Sequence, residues 1–366
     1  MNKENLKVEN VEEVKEDKLA PTQINAIEND NGNVRKGAPL EKMICGIDSG
    51  FGRIKVAYKD SLKGEIKVFN LESTIAIGEE CLDIEKTIYI NGVPCDTLSY
   101  NKLSKTGNIT KDNEYSITNM YRAMYELYKK TKSTSFVIGL GASMDTYKSS
   151  DAKESLRNRA LERREIKVRE HNKEEVTLTI EDVIVQPECA CSIFSMEKDV
   201  DRLDENYIVD LGTLNSLVMP YHKVPNISDC VSREFGYDSI VKNITIKLKG
   251  KGINAKEEQV ERIIENLNKQ EKSIKKLVNE YVITEFLQKV VQGQLKEAGY
   301  NEILGHKLIF TGGTSVRFEP HIRKVFKNAQ FTKNPLYASV IGMYFRTQKQ
   351  YEDSKNKPTK TEIVGA

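Results

Sequence analysis

The stretch GIDSGFGRIK, Gly46 to Lys55, sets Asp48, Gly50, Gly52 and Lys55 within ten residues. An apolar strand ends at Asp48, the two glycines permit φ > 0 in a tight hairpin, and Lys55 opens the next strand. Such a turn can aim backbone N–H groups at a phosphate, while Lys55 adds positive charge and Asp48 can hold a hydrated Mg²⁺. An ordinary glycine-containing hairpin would look the same. The pattern returns, however, in YIVDLGTLNS, where a second apolar strand ends at Asp210, with Gly212, Thr213 and Asn215 before strand character resumes. Two strand-acid-turn-strand hairpins in separate halves of a chain suggest two jaws closing on the phosphates of one nucleotide, both carboxylates reaching the metal shell. A third glycine site, IFTGGTSVRF, follows another apolar strand. There Gly312 and Gly313 would let backbone lie against a base or ribose, or would form a plain strand-to-helix turn.

The elements that must position these residues alternate between strand and helix patterns. MICGID, IKVAYK and EIKVFNLES read as three consecutive antiparallel strands. SITNMYRAMYELYKK spaces Ile117, Met120, Tyr121, Met124 and Tyr128 by threes and fours, as an amphipathic helix does. SFVIGLGAS follows as a buried strand, then a charged helix (KSSDAKESLRNRALERRE), strand-like VTLTI and VIVQP, and a small-residue helix (ECACSIFSMEK). Ser232 to about Gly299 reads as helical, with Ile274, Leu277, Val278, Tyr281 and Val282 on one face; KLIFTGGTS returns as strand and turn, and a terminal helix starts near Leu336.

Composition limits the function classes. The 366 residues carry 56 Lys+Arg against 54 Asp+Glu, a net charge of +2 from mixed signs, which argues against a dedicated polyanion binder. No apolar run reaches the roughly 18 residues of a membrane helix and no apolar signal core follows the N-terminus, so a cytoplasmic protein is expected. The six cysteines form no C-x-x-C pair and read as reduced core residues, and His171, His222, His306 and His321 stand isolated, without assigned chemistry. GLGASM begins like a dinucleotide fingerprint but has Met144 where the third glycine belongs, and no G-x-x-x-x-G-K-[ST] occurs. Residues 1–42 and 348–366 are polar and read as a flexible arm and a flexible tail.

The order Asp48-x-Gly50 with Lys55, Pro187-Glu188, Asp210-Leu211-Gly212-Thr213 and Gly312-Gly313 resembles the actin, sugar-kinase and heat-shock-chaperone ATPase superfamily, and within it the bacterial actin-like ParM/StbA plasmid-segregation proteins. GLGASMDTYK and IEDVIVQPEC support the likeness, which spans roughly residues 43–347. It implies an α/β, actin-like fold: two ribonuclease-H-like domains, each with a five-stranded mixed sheet, around a nucleotide cleft. Residues 43–200, completed by a C-terminal helix at 336–347, would form the first domain and 201–335 the second. The resemblance further implies ATP as ligand, with GTP left open, and Mg²⁺ held mainly through waters by Asp48 and Asp210. Gly50, Phe51, Gly52 and Lys55 would form one phosphate loop and Gly212, Thr213 and Asn215 the other, with Gly312 and Gly313 facing the adenosine. Glu188 would orient or deprotonate the attacking water, although an acid there also suits a helix N-terminus. In the second loop Leu214 and Asn215 replace the small or hydroxyl residues usual in the family.

Such a protein would be an ATP hydrolase that stacks head to tail into a helical filament on binding ATP. It would meet DNA only through a small adaptor of ParR type on centromere-like plasmid DNA, and no membrane. A small-molecule kinase of the same superfamily is the alternative, although no Asp obviously fills the catalytic place in the first half. A chaperone-like ATPase would need a C-terminal peptide-binding domain that the tail from Gln348 cannot supply.

Overall fold

Strands that read as unbroken apolar runs belong in sheet interiors, where both faces are covered. Accordingly β1 (Met43–Ser49) and a later strand, Ser135–Ala142, are buried almost throughout and lie side by side. The computed structural model describes residues 42–61, 64–78, 81, 85, 87–96, 111–196 and 205–356. The expected arm therefore lies outside the described residues except for Lys42, as do the expected boundary at 200/201 and residues 357–366 of the expected tail.

The first sheet contains β1, β2 (Arg53–Tyr58), β3 (Lys67–Glu72), β4 (Ala76–Ile77), β5 (Ile88–Ile90), β6 (Val93–Asp96), β7 (Ser135–Ala142), β8 (Glu165–Glu170) and β9 (Val176–Pro187). Their order is β3-β2-β1-β7-β9-β8-β5-β6-β4. The first three strands are antiparallel, as their short connections require, while β7 runs parallel to β1 and β9 parallel to β7. Two corrections to the sequence reading arise here. VTLTI and VIVQP are one continuous strand, because the pairing with β7 resumes at Asp182, opposite Val137, after skipping Glu181 at an irregularity between Phe136 and Val137. The five strands β3 to β9 are also extended, because β8 pairs antiparallel with β9 and β5, β6 and β4 follow it outward.

The second sheet contains β10 (Asn206–Leu211), β11 (Ser216–His222), β12 (Val224–Pro225), β13 (Val231–Arg233), β14 (Lys307–Thr311) and β15 (Ala329–Phe331), in the order β12-β11-β10-β14-β15 with β13 also on β11. Again an antiparallel hairpin, β10–β11, lies beside a parallel strand, β14. The hairpin-plus-parallel-neighbour unit thus occurs twice, and each time an acid stands one residue before the end of its first strand, Asp48 in β1 and Asp210 in β10.

Helices cover the sheets: α1 (Glu114–Thr131), α2 (Met144–Lys148), α3 (Ser150–Leu161), α4 (Tyr237–Lys249), α5 (Glu257–Glu265), α6 (Lys272–Glu280), α7 (Gln292–Glu297), α8 (Gly313–Arg317), α9 (Glu319–Val325) and α10 (Ala338–Lys355). The Asn113 side chain caps α1 by accepting from the Ser116 N–H, and the predicted stripe buries Ile117, Met120, Tyr121 and Met124, with Tyr128 at the margin of the same core. Between β13 and Gly299 the expected helical region resolves into α4 to α7, with a π-helical stretch Tyr281–Val291 joining α6 to α7. The small-residue helix after Glu188 is a 3₁₀ segment, Ala190–Met196.

Helix α10 corrects the expected tail, since Gln348–Lys355 continue the helix. These residues are polar because they face solvent, where Gln348 donates to Glu352 one turn on. Against the first sheet, α10 comes close enough that a Cβ at Gly46 or Gly139 would collide with Val340 or Thr347. Isolated glycines inside strands mark such close approach. Both sheets fall in a single compact unit. Among the described residues no helix is long and apolar enough to cross a membrane, and none of the cysteines is in a disulfide.

Candidate functional site

The site is built where the two hairpin-forming strands end. Asp48 lies opposite Lys55 in the β1–β2 ladder, and Asp210 lies between Leu217 of β11 and Thr311 of β14. Gly52 touches Thr213 across the junction of the two sheets, since a Cβ at Gly52 would stand 2.6 Å from Thr213 Oγ1. The two glycine turns therefore face each other.

The expected reason for the first pair of glycines needs correcting. Neither Gly50 nor Gly52 has positive φ; they are needed for space, since a Cβ at Gly50 would stand 3.0 Å from the Arg53 carbonyl oxygen and one at Gly52 would meet Thr213. Gly312 does have positive φ, +88°, and a Cβ there would also strike Asp210 and the Leu211 carbonyl. Gly312 thus packs the start of α8 onto the strand of the second acid, while a Cβ at Gly313 would stand 3.3 Å from Leu336 Cδ1. Phe51 enters through its carbonyl, which accepts from Ser73 Oγ.

The second turn is braced by its neighbours. Gly212 N–H donates to the Asn215 carbonyl (2.8 Å), Thr314 Oγ1 donates to the Gly212 carbonyl (2.7 Å), and Asp238 N–H at the start of α4 donates to the Thr213 carbonyl (3.0 Å). A turn held at three points keeps its geometry while a ligand binds.

Glu188 follows the end of β9, its N–H donating to the Ala142 carbonyl at the end of β7 (3.0 Å). Its carboxylate accepts from Lys111, a residue that no motif pointed to. Lys111 Nζ also lies 2.5 Å from Asp48 Oδ1, while Lys55 Nζ lies 3.3 Å from Asp48 Oδ2. The sequence around Lys111, NITKDN, is an ordinary polar stretch and carries no local signal. Ser49 was missed as well: beside Asp48, its hydroxyl is buried with no hydrogen-bond partner among the described residues. Two surface hollows, one beside α1 and β6 and one between β13 and α7, contain none of these residues.

Burial and charge set the protonation of the cluster. Burial pushes Glu188 up to about 7, with Lys111 opposing the shift and Asp48 adding to it. Burial likewise pushes Asp210 up to about 6, against the pull of Lys55. Asp48 goes the other way, because Lys111 and Lys55 together outweigh its burial and hold it well below the usual carboxylate range. Both lysines are raised, their burial outweighed by the carboxylates around them. Carboxylates with separated pKa values on one small site suit phosphoryl chemistry, in which one acid stays ionised beside a metal shell while another exchanges a proton.

Among the described residues no three His, Cys, Asp or Glu side chains converge as a direct metal cage. Mg²⁺ needs none, since it keeps several waters and takes phosphate oxygens. Asp48 and Asp210 are oxygen donors on facing strands, with the orphaned Ser49 hydroxyl beside the first, and this donor set fits such an ion.

Residues 46–190 match the family model for the N-terminal domain of actin-like proteins. No curated protein matches the chain by sequence. Among solved structures, an archaeal actin homologue superposes with a TM-score of 0.65 at 16% identity, over 84% of this chain and 99% of that one. The chain has the actin-like fold. The Alp12 filament structure matches this actin-like chain with a TM-score of 0.61 at 18% identity, over 85% and 100% of the two chains. ParM of Bacillus thuringiensis with ATP matches at 0.59 and 13%, over 86% and 100%.

Because Gly52 and Thr213 are in contact, Gly52→Ala is expected to hold the two turns apart. We expect a ligand gripped by both turns to bind the variant about tenfold more weakly, about 1.4 kcal/mol, with little change in melting temperature. Unchanged affinity in a direct titration would count against a ligand gripped by both turns.

Proposed function

We propose that this actin-like chain binds ATP with Mg²⁺ between its two sheets, polymerises head to tail and hydrolyses the nucleotide. The two sheets then act as two domains, 43–200 completed by residues 336–347 at and into the start of α10, and 201–335. The observation that carries this reading is the meeting of two acid-ended hairpins, Asp48 and Asp210 flanking Lys55, Lys111 and Glu188, with their glycine turns in contact.

In this reading the backbone N–H groups of Gly50 to Gly52 and of Thr213 cradle phosphates, helped by the Ser49 hydroxyl and Lys55, while Gly212 and Asn215 hold the second turn in shape through their own backbone hydrogen bond. Mg²⁺, held through waters by Asp48 and Asp210, would neutralise phosphate charge. Glu188 orients the attacking water and takes its proton, the usual task of a positioned carboxylate in phosphoryl transfer. Gly312 and Gly313 would face the nucleoside, and GTP in place of ATP stays open. A fold relative has been captured as a filament and another with ATP, which supports carrying both properties to this chain. We extend the reading to a cytoplasmic role in plasmid DNA segregation through a DNA-binding adaptor, in keeping with the near-neutral charge.

The test is right-angle light scattering of the purified protein on addition of Mg-ATP, run beside phosphate release on the same sample. The expected result is a rise in scattering that decays as phosphate appears. Phosphate release with flat scattering at every concentration would overturn polymerisation and turn the search to phosphoryl acceptors of a small-molecule kinase.

A further inference from the structure

Lys111 brings into the site a charge that none of the motif residues accounts for. It lies two residues before the Asn113 cap of α1, and its side chain is 5% exposed. A buried ammonium is stable only where carboxylates offset the loss of hydration, and here Asp48 and Glu188 do so. The two lysines divide the site between them. Among the described residues Lys55 hydrogen-bonds Asp48 Oδ2 from within the hairpin, whereas Lys111 bridges Asp48 Oδ1 to Glu188, the carboxylate assigned to the attacking water. The Lys111 ammonium therefore marks the end of the site where the terminal phosphate and the water must meet.

We propose that Lys111 reads the terminal phosphate, distinguishing a nucleoside triphosphate from a diphosphate; this rests on the nucleotide-site reading above. An ammonium has three donors. Asp48 and Glu188 account for two among the described residues, and the third would go to an oxygen of the terminal phosphate. A terminal phosphate brings about two further negative charges beside two carboxylates, and Lys111 is the group that makes this approach favourable. A diphosphate stops short of Glu188 and leaves Lys111 on its carboxylate partners. Its position just ahead of α1 then ties the phosphate count to the start of that helix.

The test is equilibrium titration of the full chain, in Mg²⁺, with a fluorescent ADP and a fluorescent non-hydrolysable triphosphate of the same base. Lys111→Ala is expected to weaken the triphosphate tenfold or more, about the effect of one charge-assisted hydrogen bond, and to leave the diphosphate within about threefold. Lys111→Arg, which keeps the charge, is expected to recover part of the difference. An equal loss for both nucleotides would make Lys111 a structural brace, and no loss for either would remove it from the site. Either outcome overturns the proposal. A wild-type chain that binds neither nucleotide would overturn the nucleotide-site reading itself. Should Lys111→Ala fail to fold because two carboxylates lose their partner, the Lys111→Ala, Glu188→Gln double variant relieves part of that repulsion. It is expected to show the same selective loss relative to Glu188→Gln.

Discussion

Glu188→Gln is expected to leave nucleotide binding within about threefold and to slow phosphate release by about a hundredfold or more, within the range seen for removing a positioned general base. The backbone that presents residue 188 is held by strands, its N–H on the Ala142 carbonyl and its neighbour Pro187 in register with Ala142, so the exchange does not disturb the site. Glutamine keeps the shape and an oxygen for Lys111 to donate to. It loses the charge and the ability to take a proton, and these are what the reaction needs. Filaments of the variant should then assemble on ATP and persist, because hydrolysis no longer loosens them. Stopped-flow phosphate release and the decay of light scattering measure the two effects separately. Loss of nucleotide binding would recast Glu188 as a ligand-holding residue, and release at the wild-type rate would remove it from the chemistry.

What could be read in the sequence is what is local in the chain. Asp48, Gly50, Gly52 and Lys55 lie within eight residues, and Asp210, Gly212, Thr213 and Asn215 within six, so strand, acid and turn are visible together. The helix stripe from Ile117 to Tyr128 is visible for the same reason, as one period repeated on one face. Lys111 was illegible because its partners are 63 and 77 positions away, and a lysine in a polar loop looks the same whether it faces water or two carboxylates. Ser49 was hidden in a different way, by standing inside a motif already explained by its neighbours. The role of Gly50 and Gly52 was misread because glycine serves two needs, unusual φ and absent volume, and only the position of Thr213 and of the Arg53 carbonyl tells them apart. Strands β4, β5 and β6 are two to four residues long, too short for alternation to show a period. The end of α10 was taken for tail because a solvated helix and a polar tail share a composition.

Gly342→Ala is expected to be the most damaging methyl group that can be added along α10. Gly342 lies against the 3₁₀ segment that follows Glu188, so close that a Cβ would stand 2.5 Å from the Cys191 carbonyl carbon and closer still to its oxygen. Both partners are backbone, so no side chain can rotate away; either the helix shifts off the first sheet or the 3₁₀ segment moves. The helix has little freedom, because it is also packed against Gly46 on β1 and Gly139 on β7, where the same absence of a Cβ lets it approach. Overpacking of a core typically costs about 1–3 kcal/mol and sometimes more; with backbone on both sides we expect about 3 kcal/mol, a fall in melting temperature of roughly 5 °C or more. Gly293→Ala provides the control. That glycine lies within α7 with nothing within 4 Å of its would-be Cβ, so alanine there is expected to stabilise by about 0.5–1 kcal/mol through helix propensity. The same added methyl should thus act with opposite signs at the two sites, and equal melting temperatures for the two variants would show that α10 is not held against the 3₁₀ segment at this distance. Because that segment begins two residues after Glu188, any movement that relieves the clash should also displace the carboxylate. Gly342→Ala protein that survives purification is therefore expected to release phosphate more slowly than wild type at a temperature where both are folded.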